Sequence, residues 1–240
     1  MENPQDGPVF LHEGLIVEGL RQTRMVAFDV ILDGHSTQSI ETVCVEQGRW
    51  SDEFDGNLIE RAPISVVAAL RKNPSHSVGD MKSYRQNSVW QSVERHQSRT
   101  HNMQTTSLSH MVKTYSKNKT YLPFIRPDEY KPKSKQCGFV IAQGGEPLLM
   151  EAFGSSWLFE QHFNSIIESV LWDLDDFGVA SLGNRSTIDF LEEVLLLPSS
   201  LSTASITEFK NGLSIKSTSA PNENNMLHSL VINHKHPIFN

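Results

Sequence analysis

A carboxylate, a guanidinium and an indole fall close together at Glu46, Arg49 and Trp50, in the stretch CVEQGRW that spans residues 44 to 50. Arginine offers a planar fork for phosphate or carboxylate, tryptophan a face on which a base can stack, and glutamate a group that can polarise a water. Such a set can hold a nucleotide, with Arg49 on phosphate, Trp50 or Trp90 on adenine, and Glu46 on ribose hydroxyls or as a catalytic base. The plainer alternative is that Glu46 and Arg49 pair with each other and Trp50 packs. Cys44 beside an arginine admits a nucleophile reading, but a packed strand cysteine is the better account, since no partner histidine is identifiable.

A second group sits further along, at Arg85, Gln86, Trp90, Glu94 and Arg95. Four-residue spacing puts Gln86, Trp90 and Glu94 on one helical face, where Trp90 serves either a ligand or the core. Metal chemistry finds no such support. There is no HExxH, His96 and His101 are five apart, and for His234 and His236 a solvated tail is the simpler reading than chelation. The glycines of GGEP (144 to 147) lack the spacing and the GKS or GKT ending of a phosphate loop. No cofactor and no metal are expected.

The elements that must position these residues follow from periodicity. Residues 24 to 32 and 39 to 46 read as two strands forming a hairpin, so alternation places Cys44 and Glu46 on one face, and Gly48 permits a bend that frees Arg49 and Trp50. Residues 65 to 73, 88 to 96 and 109 to 115 read as helices, while 127 to 135 reads as a linker. A second hairpin turns at Gly144-Gly145. A long helix follows, capped by Ser155 or Ser156, with Trp157, Phe159, Phe163, Ile166, Ile167, Val170, Leu171 and Leu174 as its apolar face. Ser186 caps a further helix over 187 to 197, and Asn211-Gly212 joins two strands that a third, over 226 to 234, extends. The fold class is therefore α+β, with antiparallel hairpins, segregated helices and one long amphipathic helix packing on the sheet.

Bulk properties fit a globular chain. The 240 residues are 38% hydrophobic and 20% charged, with two distant cysteines and no run long enough to span a membrane, so a cytoplasmic protein is expected. The net charge of −7 conceals an asymmetry. Residues 71 to 135 carry 13 Lys and Arg against four carboxylates, and the rest of the chain 8 against 24. Such a segment favours an anionic partner.

The chain also resembles a domain family associated with ADP-ribosylglycohydrolases and rhodanese-phosphatases. The resemblance runs through Gln22-Thr23-Arg24, the CVEQGRW stretch, Ser88-Val89-Trp90, residues 138 to 142 with Gly144, and Phe153-Gly154 with the helix ending near Leu174. It spans most of residues 14 to 195 and leaves the strands after about 200 outside. It implies a prokaryotic or viral intracellular protein linked to NAD and ADP-ribose metabolism. It carries over Glu46, Arg49 and Trp50 as motif positions and adds Arg24 beside them, without fixing a reaction.

Three readings follow. In the first, an ADP-ribose- or NAD-derived phosphorylated nucleotide is bound or processed, with Glu46 as the catalytic candidate and Arg24, Arg49, Trp50, Gln86 and Trp90 as ligand contacts. In the second, a non-catalytic module docks nucleic acid or an acidic protein through its basic centre, where Lys and Arg interleave with Tyr84, Trp90, Tyr115, Tyr121 and Phe124. In the third, the basic segment is a solvated face at a homo-oligomer contact. The expected organisation is a tail over 1 to 13, a main domain over 14 to 200 with a basic insertion near 71 to 135, and a β-hairpin extension over 201 to 240.

Overall fold

A computed structural model describes residues 1–18, 22–47, 58–72, 80–99, 107–117, 131–174, 186–196, 207–210, 212–219 and 225–239. It contains both helices and antiparallel strands, so the α+β class holds. The chain divides into two compact units, Met1–Thr120 and Tyr121–Asn240.

In the first unit the strands are short: β1 (Glu2–Asn3), β2 (Val9–Leu11), β3 (Leu15–Glu18), β4 (Thr23–Val26), β5 (Val30–Leu32), β6 (Ser36–Thr37), β7 (Thr42–Cys44) and β8 (Leu58–Arg61). They form an antiparallel four-stranded sheet in the order β7-β4-β3-β8 and two pairs, β1 with β6 and β2 with β5. The expected hairpin is present only in part. β4 does pair with β7, Arg24 opposite Cys44 and Val26 opposite Thr42, but the single strand expected over 24 to 32 is two strands in different sheets. The break has a polar cause: buried Asp29 accepts the Glu13 N–H at 2.8 Å, which holds the intervening backbone away from the β4 ladder. Residues 1 to 13, expected as a tail, supply β1 and β2.

Among the described residues this unit also holds three helices, α1 (Ile64–Leu70), α2 (Met81–Arg99) and α3 (Leu108–Lys117). Every residue of α1 is buried, which suits its apolar sequence, and its one polar side chain, Ser65, meets His96 Nε2 at 2.9 Å. Arg71, just past its end, is buried as well and grips Glu13 with Nε at 2.9 Å and Nη2 at 2.7 Å. That bidentate pair removes Arg71 from the basic surface counted in the sequence. Val89, Val93 and His96 of α2 and Leu108, Met111 and Val112 of α3 are core residues, so both helices are integral to the unit.

The second unit is built on one antiparallel sheet. Its strands are β9 (Gly138–Gln143), β10 (Glu146–Phe153), β11 (Thr207–Lys210), β12 (Leu213–Ser219) and β13 (Met226–Asn233), in the order β11-β12-β13-β10-β9. Gly144 and Gly145 turn the β9–β10 hairpin with φ of 57° and 83°, the left-handed pair that a two-residue turn of the mirror-image type requires. Alternation along β10 sends Phe153 to one face and Met150 to the other. On the first face lies α4 (Ser156–Leu174), whose Phe159 sits between Phe139 and Phe153 at ring separations of 5.3 and 6.1 Å. On the second, α5 (Thr187–Leu195) places Phe190 and Val194 in a cluster with Leu213, Ile215 and Val231, against which Val140 and Met150 pack.

Ser155 caps α4 through the Leu158 N–H, and Ser186 caps α5 through the Asp189 N–H. Trp157 is 66% exposed and leaves the apolar face expected of α4, because it lies in the first turn, beside the cap. β11, β12 and β13 supply three of the sheet's five strands, and Leu213, Leu230, Val231 and Ile232 are buried. Residues 234–239 are not a frayed tail. His234 bonds Ser214 Oγ at 2.7 Å, and Ile238 and Phe239 are buried in a 3-10 turn. The expected ends of the first and fourth helices, at Asn73-Pro74 and Gly178, lie outside the described residues.

Candidate functional site

The first unit holds a cleft of about 420 Å³ between α2 and the outer strand of its four-stranded sheet. Ala27, Val43 and Leu70 form apolar lining, Phe28 and Trp90 add aromatic rings, and Lys82, Arg85, Glu41, Ser83 and Asn87 supply polar groups. A concave, mostly apolar surface with a few polar groups is the usual form of a small-molecule site.

Local sequence explains how these residues meet. The break after β4 frees Phe28 from strand alternation and lets its ring reach α2, where the Arg85 guanidinium lies 5.4 Å from the ring centroid. Among the described residues Arg85 has no hydrogen-bond partner, so its donors remain available. Lys82, Gln86 and Trp90 follow at four-residue intervals and line the same helical face. Asp80 opens the helix by accepting from the Ser83 hydroxyl and the Lys82 N–H, bonds that lower its pKa from the ordinary value.

Gln86 lines the cleft but spends its amide elsewhere. Its Oε1 accepts the Cys44 N–H at 2.9 Å and its Nε2 donates to the Cys44 carbonyl at 2.7 Å, a side-chain substitute for a neighbouring strand. The ligand contact expected of Gln86 is thus a tie between α2 and β7. Trp90 is half-buried in the wall, with an indole N–H that has no partner among the described residues.

Glu46 is 2% exposed, and its Oε2 accepts both the N–H and the hydroxyl of Thr23, at 3.2 and 2.9 Å. That pairing suits an acid that fixes the start of β4, and the carboxylate is not among the cleft residues. Cys44 is buried and its thiol donates to the Glu46 carbonyl at 3.2 Å. Arg24 is exposed and donates to Gln22 Oε1 at 3.1 Å, outside the cleft. Gly48, Arg49 and Trp50 lie outside the described residues.

Of the expected ligand contacts, the structure therefore brings Gln86 and Trp90 together and leaves Arg24 and Glu46 apart. Sequence reasoning missed Phe28, Glu41, Thr42 and Lys82 as site residues. Lys82 alone had a legible signal, one turn before Gln86 on the same face. Among the described residues no three His, Cys, Asp or Glu side chains gather in a way that could hold a metal ion, and no helix is long and apolar enough to cross a membrane.

The family model for the ARG and Rhodanese-Phosphatase-superfamily-associated Protein domain matches residues 1–232. That match includes the strands after residue 200, which the sequence resemblance had left outside. No curated protein and no solved structure matches the chain.

Proposed function

The chain belongs to the ARG and Rhodanese-Phosphatase-superfamily-associated Protein domain family, and from that membership and the cleft we propose that it binds a phosphorylated nucleotide of the ADP-ribose type. The family's name associates it with ARG, the ADP-ribosylglycohydrolases, which makes an ADP-ribose derivative the first ligand to consider. The carrying observation is the lining: two cations, Lys82 and Arg85, and two aromatic rings, Phe28 and Trp90, share one concavity. Rings accept a base or ribose face, and the guanidinium fork and the ammonium take phosphate oxygens. Glu41, the opposing carboxylate, is placed to accept from ribose hydroxyls.

The proposal is binding. Glu46, the carboxylate expected to polarise a water, is buried on Thr23 and lies outside the cleft lining, so no bond-breaking step is assigned to it.

Calorimetric titration of the full chain with ADP-ribose tests this reading. Binding is expected, weakened about tenfold or more by Arg85→Ala, the scale of one lost charged hydrogen bond. No heat with folded protein removes the proposal. Tighter binding of single-stranded oligonucleotide than of ADP-ribose, lost steeply with salt, would transfer the role to the basic surface as a nucleic-acid site.

A further inference from the structure

β7 is the outer strand of its sheet, and its ladder shows which of its peptide groups face outward. Ala27 N–H bonds the Glu41 carbonyl and Val45 N–H bonds the Thr23 carbonyl, both at 3.1 Å, so the Glu41 carbonyl, the Val45 N–H and the Val43 peptide between them face β4, while the Val45 carbonyl accepts the Leu108 N–H. In an antiparallel ladder the alternate residues, Thr42 and Cys44, then present N–H and C=O on the outer side. Cys44's outward pair is filled by the Gln86 carboxamide. Thr42's pair meets no partner among the described residues, and Thr42 lines the cleft.

A buried or half-buried main-chain donor and acceptor left open at a cavity wall call for a ligand or water to satisfy them. A planar group that carries an acceptor beside a donor answers both at once. Gln86 on Cys44 shows, one ladder position away, how such a group seats on this edge.

We propose that the Thr42 peptide reads the hydrogen-bonding edge of the ligand's base: its N–H donates to a ring nitrogen and its carbonyl accepts from the adjacent exocyclic amino group of a 6-aminopurine. The base lies between the Phe28 and Trp90 sides of the cleft, which leaves Lys82 and Arg85 for the phosphate end. This inference rests on the nucleotide reading above, which supplies the adenine. Recognition by main chain also explains why no side chain in the sequence announces a base-reading site.

The experiment compares three ligands against the full chain by calorimetry: adenosine 5′-monophosphate, purine riboside 5′-monophosphate, which lacks the amino group, and the N6,N6-dimethyl derivative, which lacks its hydrogens. Affinity is expected to fall about tenfold for each analogue, the scale of a hydrogen bond lost with its partner left unpaired. Thr42→Pro removes the outward N–H without removing a ladder bond, as edge strands permit, and is expected to weaken all three ligands while its carbonyl keeps the preference for the amino-bearing base. Thr42→Val, which keeps the peptide group, is expected to match the parent chain. Equal affinity of the parent for all three ligands overturns the base-edge assignment while leaving the cleft reading intact. Failure of every nucleotide, ADP-ribose included, overturns both. Should Thr42→Pro not fold, the analogue series on the parent chain decides by itself.

Discussion

The two units treat polar groups in the sheet in opposite ways. In the second, β12 is buried along almost its whole length and β13 lies between two partners, so the sheet is covered on both faces and satisfied along its central strands. In the first, the outer strand is half covered by one glutamine and half open, and the open half forms the wall of a cleft. The contrast extends to buried polar pairs: Arg71 grips Glu13 with two hydrogen bonds in the first unit, while the His228 ring faces Glu151 at 2.9 Å in the second. A sheet covered on both faces stores stability; an edge left partly open offers groups that a ligand can meet.

The largest expected effect tests where the first unit's stability lies. Arg71→Leu strands the Glu13 carboxylate in the core and is expected to cost about 3–5 kcal/mol in urea unfolding, with amide exchange rising in α1 while β10 and β13 hold their protection. Arg71→Leu with Glu13→Leu is expected to recover much of the loss, because no charge is then left unpaired. A single mutant that unfolds like the parent would show that the pair contributes nothing.

A smaller effect addresses the half-covered edge. Gln86→Leu leaves the Cys44 N–H and C=O without their partner, with an expected loss of about 1–3 kcal/mol and faster exchange of the Cys44 amide. Unchanged exchange there would mean that water or another group replaces the glutamine at no cost.

The mildest test concerns pH and the second unit. His236 is buried, which pushes its pKa below the ordinary value, with a backbone contact to Gln143 opposing in part. The unfolded chain therefore takes up the proton first, so stability is expected to fall as pH drops through about 6.5 and to level off below the folded pKa. His236→Asn is expected to flatten that slope in a series of thermal melts. An equal slope in both proteins would assign the acid sensitivity to other groups.

Local chemistry made much of the second unit readable. Gly144-Gly145 demands left-handed backbone, Ser186 precedes an apolar period, and Asn211-Gly212 marks the join between two strand segments. Each of these signals acts within a few residues. The first unit resists such reading because its decisive contacts are distant: Asp29 reaches back to Glu13 and breaks a strand that periodicity would continue, and Phe28 meets Arg85 from far along the chain. Gln86 and Trp90 were legible as a helical face pointing at something. That Gln86 points at a peptide group and Trp90 at a cavity depends on which strand lies alongside, and side-chain spacing does not encode it. Thr42 left no trace in the sequence at all, since its proposed role belongs to the backbone.

The position of β13 sets a schedule for the chain as it leaves the ribosome. This strand follows the other four of its sheet in the chain yet lies between β12 and β10, so neither the β9–β10 hairpin nor the β11–β12 pair can complete the sheet until residue 233 has been made. Until then the inner side of β10 offers unmet main-chain groups to any passing strand, and synthesis that stalls before residue 226 leaves a species prone to aggregate. Late insertion between distant partners also gives this unit a high contact order, which predicts that it folds slowly.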